Sequence, residues 1–236
     1  SIKVKICFET AISPFDTGEM MLAKDVAFVK SGLDGVPVDV EVDVNPGLHA
    51  FEVVGLPDAA VKESRERVRS AIKNSGKRFP NHRITVNLAP AELKKEGAML
   101  DLAIAVALVK STGELGSADI GKAVLLGELS LDGKIRPVNG ILPMLISAKQ
   151  RGFKEVIIPA ENAKEGSYIS GITIKKADSL KSVLEYFEGY GELETVEAVG
   201  YDEISDKDDY KNDLKFVKGQ YVARRALEIA VSGNHN

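Results

Sequence analysis

Cysteine is nearly missing from this chain. Cys7 is the only one among 236 residues. That excludes an intrachain disulfide framework and any cysteine-based zinc site, and it points to a reducing, cytoplasmic compartment. Histidine is scarce as well: His49, His82 and His235 stand far apart, without the spacing of metal ligands. No apolar run approaches the roughly 18 residues of a membrane span. A secretory leader is not legible in the first twenty residues either. Glu9 and Asp16 interrupt their apolar character, and no long apolar core follows Lys3 and Lys5. The formal net charge is -4, so nucleic acid could be held only by a local patch. Finally, no run of the form GxxxxGKS or GxxxxGKT occurs. The chain by itself therefore offers no cradle in which backbone N–H groups and a lysine hold nucleotide phosphates.

What is present is ordinary globular composition, 44% hydrophobic and 28% charged, enough for one sizeable core and a second small piece. Residues 36–44 alternate strictly, with valines facing one way and Asp39, Glu41 and Asp43 the other, which predicts a half-buried strand. Asn45, Pro46 and Gly47 turn the chain, and AFEVVGL follows as a second strand. Pro57 and Asp58 open a helix that Gly76 stops. RITVNLA (83–89) is another alternating strand. MLDLAIAVALVKSTG is apolar nearly all round and reads as a central helix against the sheet. AVLLGEL (123–129) reads as one buried strand, Asp132 and Gly133 as a hairpin turn, and KIRPV as the returning strand. A helix over 141–151, the strands KEVIIP and ITIKKA, and a helix over 179–189 capped by Ser179 complete the pattern. Hairpins mixed with crossovers imply an α/β (α+β) fold of two layers, a mixed sheet covered by helices. Composition then shifts: residues 185–197 hold five glutamates and no basic residue. Residues 191–213 are predicted to be an acidic linker. Helical spacing returns at Val222, Ala226, Ile229 and Ala230.

Two charge clusters invite chemistry. Residues 61–83 carry eight basic residues against Glu63 and Glu66, a local net of +6. Lys62, Arg65, Arg69 and Lys73 can lie along one side of the predicted helix and track phosphates. A solvated face with intrahelical pairs, Glu63 with Arg67 and Glu66 with Arg69, is the alternative. Asp39, Glu41 and Asp43 share a strand face. Nothing in the sequence builds a cleft around them, so they read as the charged outer face of the sheet rather than as an acid/base pair.

The loop KKEGAMLD (94–101) and the unit GELSLDGKIRPVNGILP, with GLPDAAVKES upstream, resemble the proteolytic domain of the Lon proteases over roughly residues 50–185. The implied fold is the Lon-proteolytic, ribosomal S5 domain 2-like one. In that family a serine stands two residues after the loop glycine, and a lysine near the start of the helix after the hairpin takes its proton. Aligned on Gly97 and on Val138, Asn139 and Gly140, those positions hold Met99 and Leu142. Neither can do that chemistry, and the two act as a unit. No catalytic residue is therefore assigned. A different hydrolase remains the alternative, recruiting Ser64, Ser70 or Thr85 with Lys94 or Lys95.

The segments GLPDAAVKESRERV and RITVNLAPAELKKEG resemble, more closely, the amino-terminal domain of the magnesium-chelatase-like AAA+ ATPases of the ComM type. The likeness runs from Met21 to about Glu188 and resumes at VKGQYVARRALEIAVSGNHN, which is similar to the start of that family's ATPase module. The resemblance implies four parts: an upstream extension (1–20), the Lon-like domain (21–190), the linker (191–213) and a truncated ATPase start (214–236). It implies a front piece of a longer protein, a ring-forming, ATP-driven DNA-remodelling or branch-migration motor. Its partners would be its own ATPase module, neighbouring subunits and DNA, with no membrane. ATP and magnesium would belong to the full-length protein, with no cofactor in this piece. By the same resemblance Val217, Gly219 and Gln220 would touch adenine in the complete protein, and the phosphate loop would follow soon after SGNHN.

Overall fold

The computed structural model describes residues 21–115, 123–199 and 218–233. The chain divides into two units, residues 1–199 and 200–236. The predicted extension over residues 1–20 lies outside the described residues.

In the first unit β1 (Met21–Ser31) and β2 (Asp34–Asn45) form a long antiparallel hairpin, with Ala27 opposite Val38 and Val26 opposite Asp39. β2 pairs antiparallel with β4 (Arg83–Ala89), which pairs in parallel with β3 (Ala50–Val54) at one edge. On its other side β1 runs parallel to β5 (Val124–Leu125), followed by the parallel strands β8 (Glu155–Pro159) and β9 (Thr173–Ala177). β10 (Glu194–Thr195) closes the far edge antiparallel to β9. The result is an eight-stranded mixed sheet in the order β10-β9-β8-β5-β1-β2-β4-β3. With helices layered on it, this is the expected two-layer α/β fold.

The alternation in β2 places Val38, Val40, Val42 and Val44 inside and Asp39, Glu41 and Asp43 on the outer side. There Lys24 of β1 bridges Asp39 at 2.8 Å and Glu41 at 3.4 Å, and Asn87 donates to Glu41 at 2.8 Å. The outer carboxylates are thus tied into a polar sheet surface. β1 itself reads poorly in sequence because a buried Asp25 sits on its inner face, paired with Lys110. In the parallel half β8 is buried at four successive residues, as a strand covered on both faces must be.

The central helix α3 (Asp101–Ser111) is buried at every position except Lys110, and packs on β1, β2 and the preceding helix. That preceding element, read in sequence as one helix, is broken. α1 (Ala59–Lys62) ends at Glu63, whose helical backbone starts α2 (Ser64–Asn74). AVLLGEL also divides. β5 stays in the main sheet, whereas β6 (Glu128–Leu129) leaves it to form a two-stranded hairpin with β7 (Ile135–Arg136). The change of direction falls at Gly127, where a Cβ would sit 2.5 Å from Ile135 Cγ2. Helix α4 (Ile141–Gln150) follows, preceded by a segment that Asn162 clamps. The Asn162 Oδ1 accepts from Val138 N at 2.9 Å, and its Nδ2 donates to Val138 O at 3.0 Å. Further helices among the described residues of this unit are α5 (Ala163–Gly166) and α6 (Leu180–Phe187), the latter capped by Ser179 as predicted.

Residues 191–199, expected to begin the acidic linker, belong instead to the first unit. Leu193 is buried, Val196 N donates to Ile174 O at 2.8 Å, and Lys176 pairs with Glu194 at 2.8 Å. Glutamates alternating with apolar residues make an edge strand once a partner strand is present. The rest of the predicted linker lies outside the described residues. Among the described residues of the second unit, helix α7 (Tyr221–Ser232) leaves Val222, Leu227 and Ile229 exposed.

Helix α4 approaches β2 closely enough that a Cβ on Gly35 would lie 2.6 Å from Met144 Cα, while Gly35 N donates to Ser147 Oγ at 2.9 Å. Backbone cannot step aside as a side chain can. Gly35→Ala is therefore expected to destabilise the unit by roughly 2–3 kcal/mol through overpacking, read as a lower urea midpoint. A fully stable variant would show that the approach is not fixed.

Candidate functional site

The loop that corresponds to a Lon nucleophile loop is pinned from both ends. Lys95 N donates to Leu56 O at 3.1 Å and Asp58 N donates to Lys95 O at 3.0 Å, a short parallel bridge between GLPD and KKEG. The Asp58 carboxylate caps α1 through Val61 N at 2.8 Å and also accepts from Gly97 N at 3.0 Å. The Lys95 side chain is wholly buried and donates to Pro90 O, and burial lowers its pKa. Leu56 holds a positive φ of 55° in this bridge, a strained conformation for a branched residue.

On this frame Met99 occupies the turn Ala98–Leu100, half-buried, with its carbonyl accepting from Gly127 N at 3.0 Å. Leu142 lies half-buried in the first turn of α4. A thioether and an alkyl group can neither attack a carbonyl nor hold a proton. The alternative serines and lysines are not joined. Ser64 is fully buried, Lys94 pairs with Glu96 at 2.6 Å, and Lys95 bonds to backbone.

Two residues after Met99 comes Asp101, wholly buried and ionically tied to the basic helix α2. Arg67 Nε donates to its Oδ2 at 2.6 Å and Arg67 Nη2 to its Oδ1 at 3.1 Å, with a second donation to Ala60 O at 2.8 Å. Leu129 N of the hairpin strand β6 donates to the same carboxylate at 3.3 Å. Burial nevertheless pushes the Asp101 carboxyl up to about 6, against the lowering effect of Arg67.

This changes the charge map of residues 61–83. Arg67 is turned inward, so the Glu63–Arg67 pair of the alternative reading does not form; Glu66 lies 3.6 Å from Arg65 and not on Arg69. Lys77 pairs with Glu188 and Arg83 with Glu52. Of the predicted phosphate row, Lys62 and Lys73 are exposed, and Arg65 and Arg69 are half-buried. Lys62, Arg69 and Lys73 have no ion pair among the described residues. Arg65 and Arg69 instead join an aromatic cluster that sequence reasoning missed. Arg65 Nη2 lies 3.1 Å from His49 Nε2, the Arg69 guanidinium lies 5.9 Å from the Phe79 ring centre, and Phe79 stacks on Phe51 at 6.4 Å and 25°. The run RFPNHR (78–83), an aromatic among basic residues, was its only signal.

Of the predicted adenine contacts, Val217 lies outside the described residues. Gly219 and Gln220 are exposed just before α7, both with positive φ. They bring no phosphate-binding group beside them except Lys218, so the described residues do not by themselves fit a nucleotide. Among the described residues no cluster of three His, Cys, Asp or Glu side chains could hold a metal ion.

A helix-covered mixed sheet with a Lon-type loop and hairpin defines the class, a Lon-like domain. Comparison with known proteins then places it. The family model of subunit ChlI of Mg-chelatase matches residues 40–162, and the chain belongs to this magnesium-chelatase-like family. It is 40% identical over 205 residues to the uncharacterized protein YifB of Escherichia coli, covering 87% of this chain and 40% of that one. It is 36% identical over 218 residues to the competence protein ComM of Haemophilus influenzae, covering 92% and 43%. A Lon protease of Bacillus thuringiensis is more distant, 26% identical over 183 residues, covering 72% and 22%. The chain thus spans less than half the length of each of these relatives.

Removing the counter-charge of a buried carboxylate leaves it unpaired. Arg67→Met is expected to cost about 3–5 kcal/mol near neutral pH, less in acid where the carboxyl protonates. The native Asp101 carboxyl titrates near 6 and an unfolded one near 3.8. The folded state therefore holds this proton more tightly, and the resulting stability is full below about pH 4 and lost as pH rises through about 6. Denaturation at about pH 4.5 and 7.5 should show a larger loss for the parent than for Asp101→Asn. Equal losses would deny the raised carboxyl.

Proposed function

We propose that this chain is a non-catalytic accessory domain of a magnesium-chelatase-like ATPase, and that it guides DNA for the full-length motor. The observation that carries the reading is the pairing of a Lon-type frame, with Met99 and Leu142 in the dyad positions, and two successive basic helices, α1 and α2, whose Lys62, Arg69 and Lys73 have no ion pair among the described residues. The frame has the Lon-type shape with other side chains in the dyad positions, and clustering like charges within residues 61–83 sets up a local repulsion that a bound polyanion would relieve. The competence protein ComM among the relatives lends support, because its name gives such a chain a role in competence. In the full-length protein, ATP and magnesium would act on the ATPase module, and that module and neighbouring subunits of a ring would be the domain's partners. The setting is cytoplasmic.

The test is anisotropy of labelled single- and double-stranded oligonucleotides on the 236-residue chain. With three phosphate contacts, affinity is expected to fall roughly 40-fold between about 50 and 200 mM salt. Lys62→Gln/Lys73→Gln should weaken both DNA forms and lower the salt slope by about 2. No binding at low salt, or an unchanged double variant, removes the DNA role. A serine-reactive fluorophosphonate should leave the chain unlabelled, and a stoichiometric adduct would restore the hydrolase reading.

A further inference from the structure

The basic face of α2 is not a plain row of charges. Its middle is a stack of planar groups. Phe51 and Phe79, both half-buried, lie nearly parallel at 6.4 Å. The Arg69 guanidinium rests on Phe79 at 5.9 Å, and the exposed His49 ring meets Phe79 edge-on at 6.4 Å and 72°. Arg65 bonds His49 through Nη2 at 3.1 Å, and its buried Nε, with no hydrogen-bond partner among the described residues, lies 3.6 Å from the Glu66 carboxylate. Lys62 and Lys73 lie exposed at the two ends of this cluster along the sequence of the helices. Leu48, beside His49 in the chain, is 92% exposed.

This arrangement has a cost that solubility does not explain. An arginine free in water keeps its rotamers, whereas Arg69 is placed over the Phe79 ring and Arg65 is hydrogen-bonded to His49. A held, planar cation next to an exposed imidazole offers flat faces at fixed positions. Cations flank those faces over about 12 Å of helix between Arg65 and Lys73. Duplex DNA presents only phosphates to such a surface, because its base faces are stacked on one another. A single strand presents phosphates and open base faces together.

We infer that His49 and Arg69, braced from beneath by Phe79 and Phe51, form a stacking platform for an unpaired base. The DNA held by this domain is then single-stranded at that point, with Lys62 and Lys73 on the adjoining phosphates. The inference rests on the DNA-guiding reading and deepens it.

Two variants separate stacking from charge. Arg69→Lys keeps the positive charge and removes the planar group, and His49→Ala removes an exposed ring without disturbing the core. The probes are oligo(dT), an abasic strand of the same length, and a duplex, each at low salt on the whole chain, with circular dichroism to verify folding. The parent should bind oligo(dT) more tightly than the abasic strand. Arg69→Lys and His49→Ala should each weaken oligo(dT) binding on the order of tenfold and leave abasic and duplex binding within about twofold. Equal parent affinity for oligo(dT) and the abasic strand overturns the platform while leaving the DNA-guiding role intact. So do variants that weaken all three probes alike or none of them. A parent that binds no probe overturns both.

Discussion

One buried contact organises the first unit: the Arg67 guanidinium on the Asp101 carboxylate. It is a desolvated pair, which gains little over an apolar substitute and loses heavily if one member is removed. Its value is geometric. Asp101 begins the central helix α3, Arg67 belongs to α2, and the Leu129 amide that shares the carboxylate belongs to the β6–β7 hairpin. Three segments far apart in sequence are thereby fixed to one point. The pair also sets the rotation of α2. With Ser64, Arg67, Val68 and Ala71 turned inward, Arg65, Arg69 and Lys73 must emerge on the other side, because residues four apart share a face. The contact that holds the Lon-like frame together therefore also aims the basic face.

The positions that align with the Lon dyad hold Met99 and Leu142 on a frame of the Lon type. The loop is still held by the GLPD–KKEG bridge and by Asp58, and Gly127 still tucks beneath Met99. Holding this loop costs a buried lysine, a strained Leu56 and a buried carboxylate.

Much of this was legible in the residues. The alternation of β2 and β4, the all-round apolar character of α3, the Asp132-Gly133 turn and the Ser179 cap are local signals, and the local physics was enough. The misses are all places where a distant partner decides. β1 hides behind Asp25, which is tolerable inside only because Lys110 reaches it. AVLLGEL looks like one strand until Ile135 crowds Gly127 and sends the chain into a second sheet. Arg67 looks like any other cation of the basic helix until Asp101, 34 residues on, claims it. Lys62, Arg65, Arg69 and Lys73 were singled out by charge alone. That Arg65 and Arg69 lean on His49 and Phe79 needed the return of residues 77–82 beside the helix.

The short strand β10 has a consequence for where this unit ends as a folding body. Composition invites a boundary near residue 190, where glutamates become dense. Yet Leu193 closes part of the core, and the backbone of β9 is satisfied on that side by the residues that follow it. A piece stopped at 190 would leave β9 as a bare margin with unpaired N–H and C=O groups, the kind of surface on which sheets from separate molecules join. The glutamates of this segment act as a hem: they let the last strand finish the sheet while keeping its free border too charged to be extended.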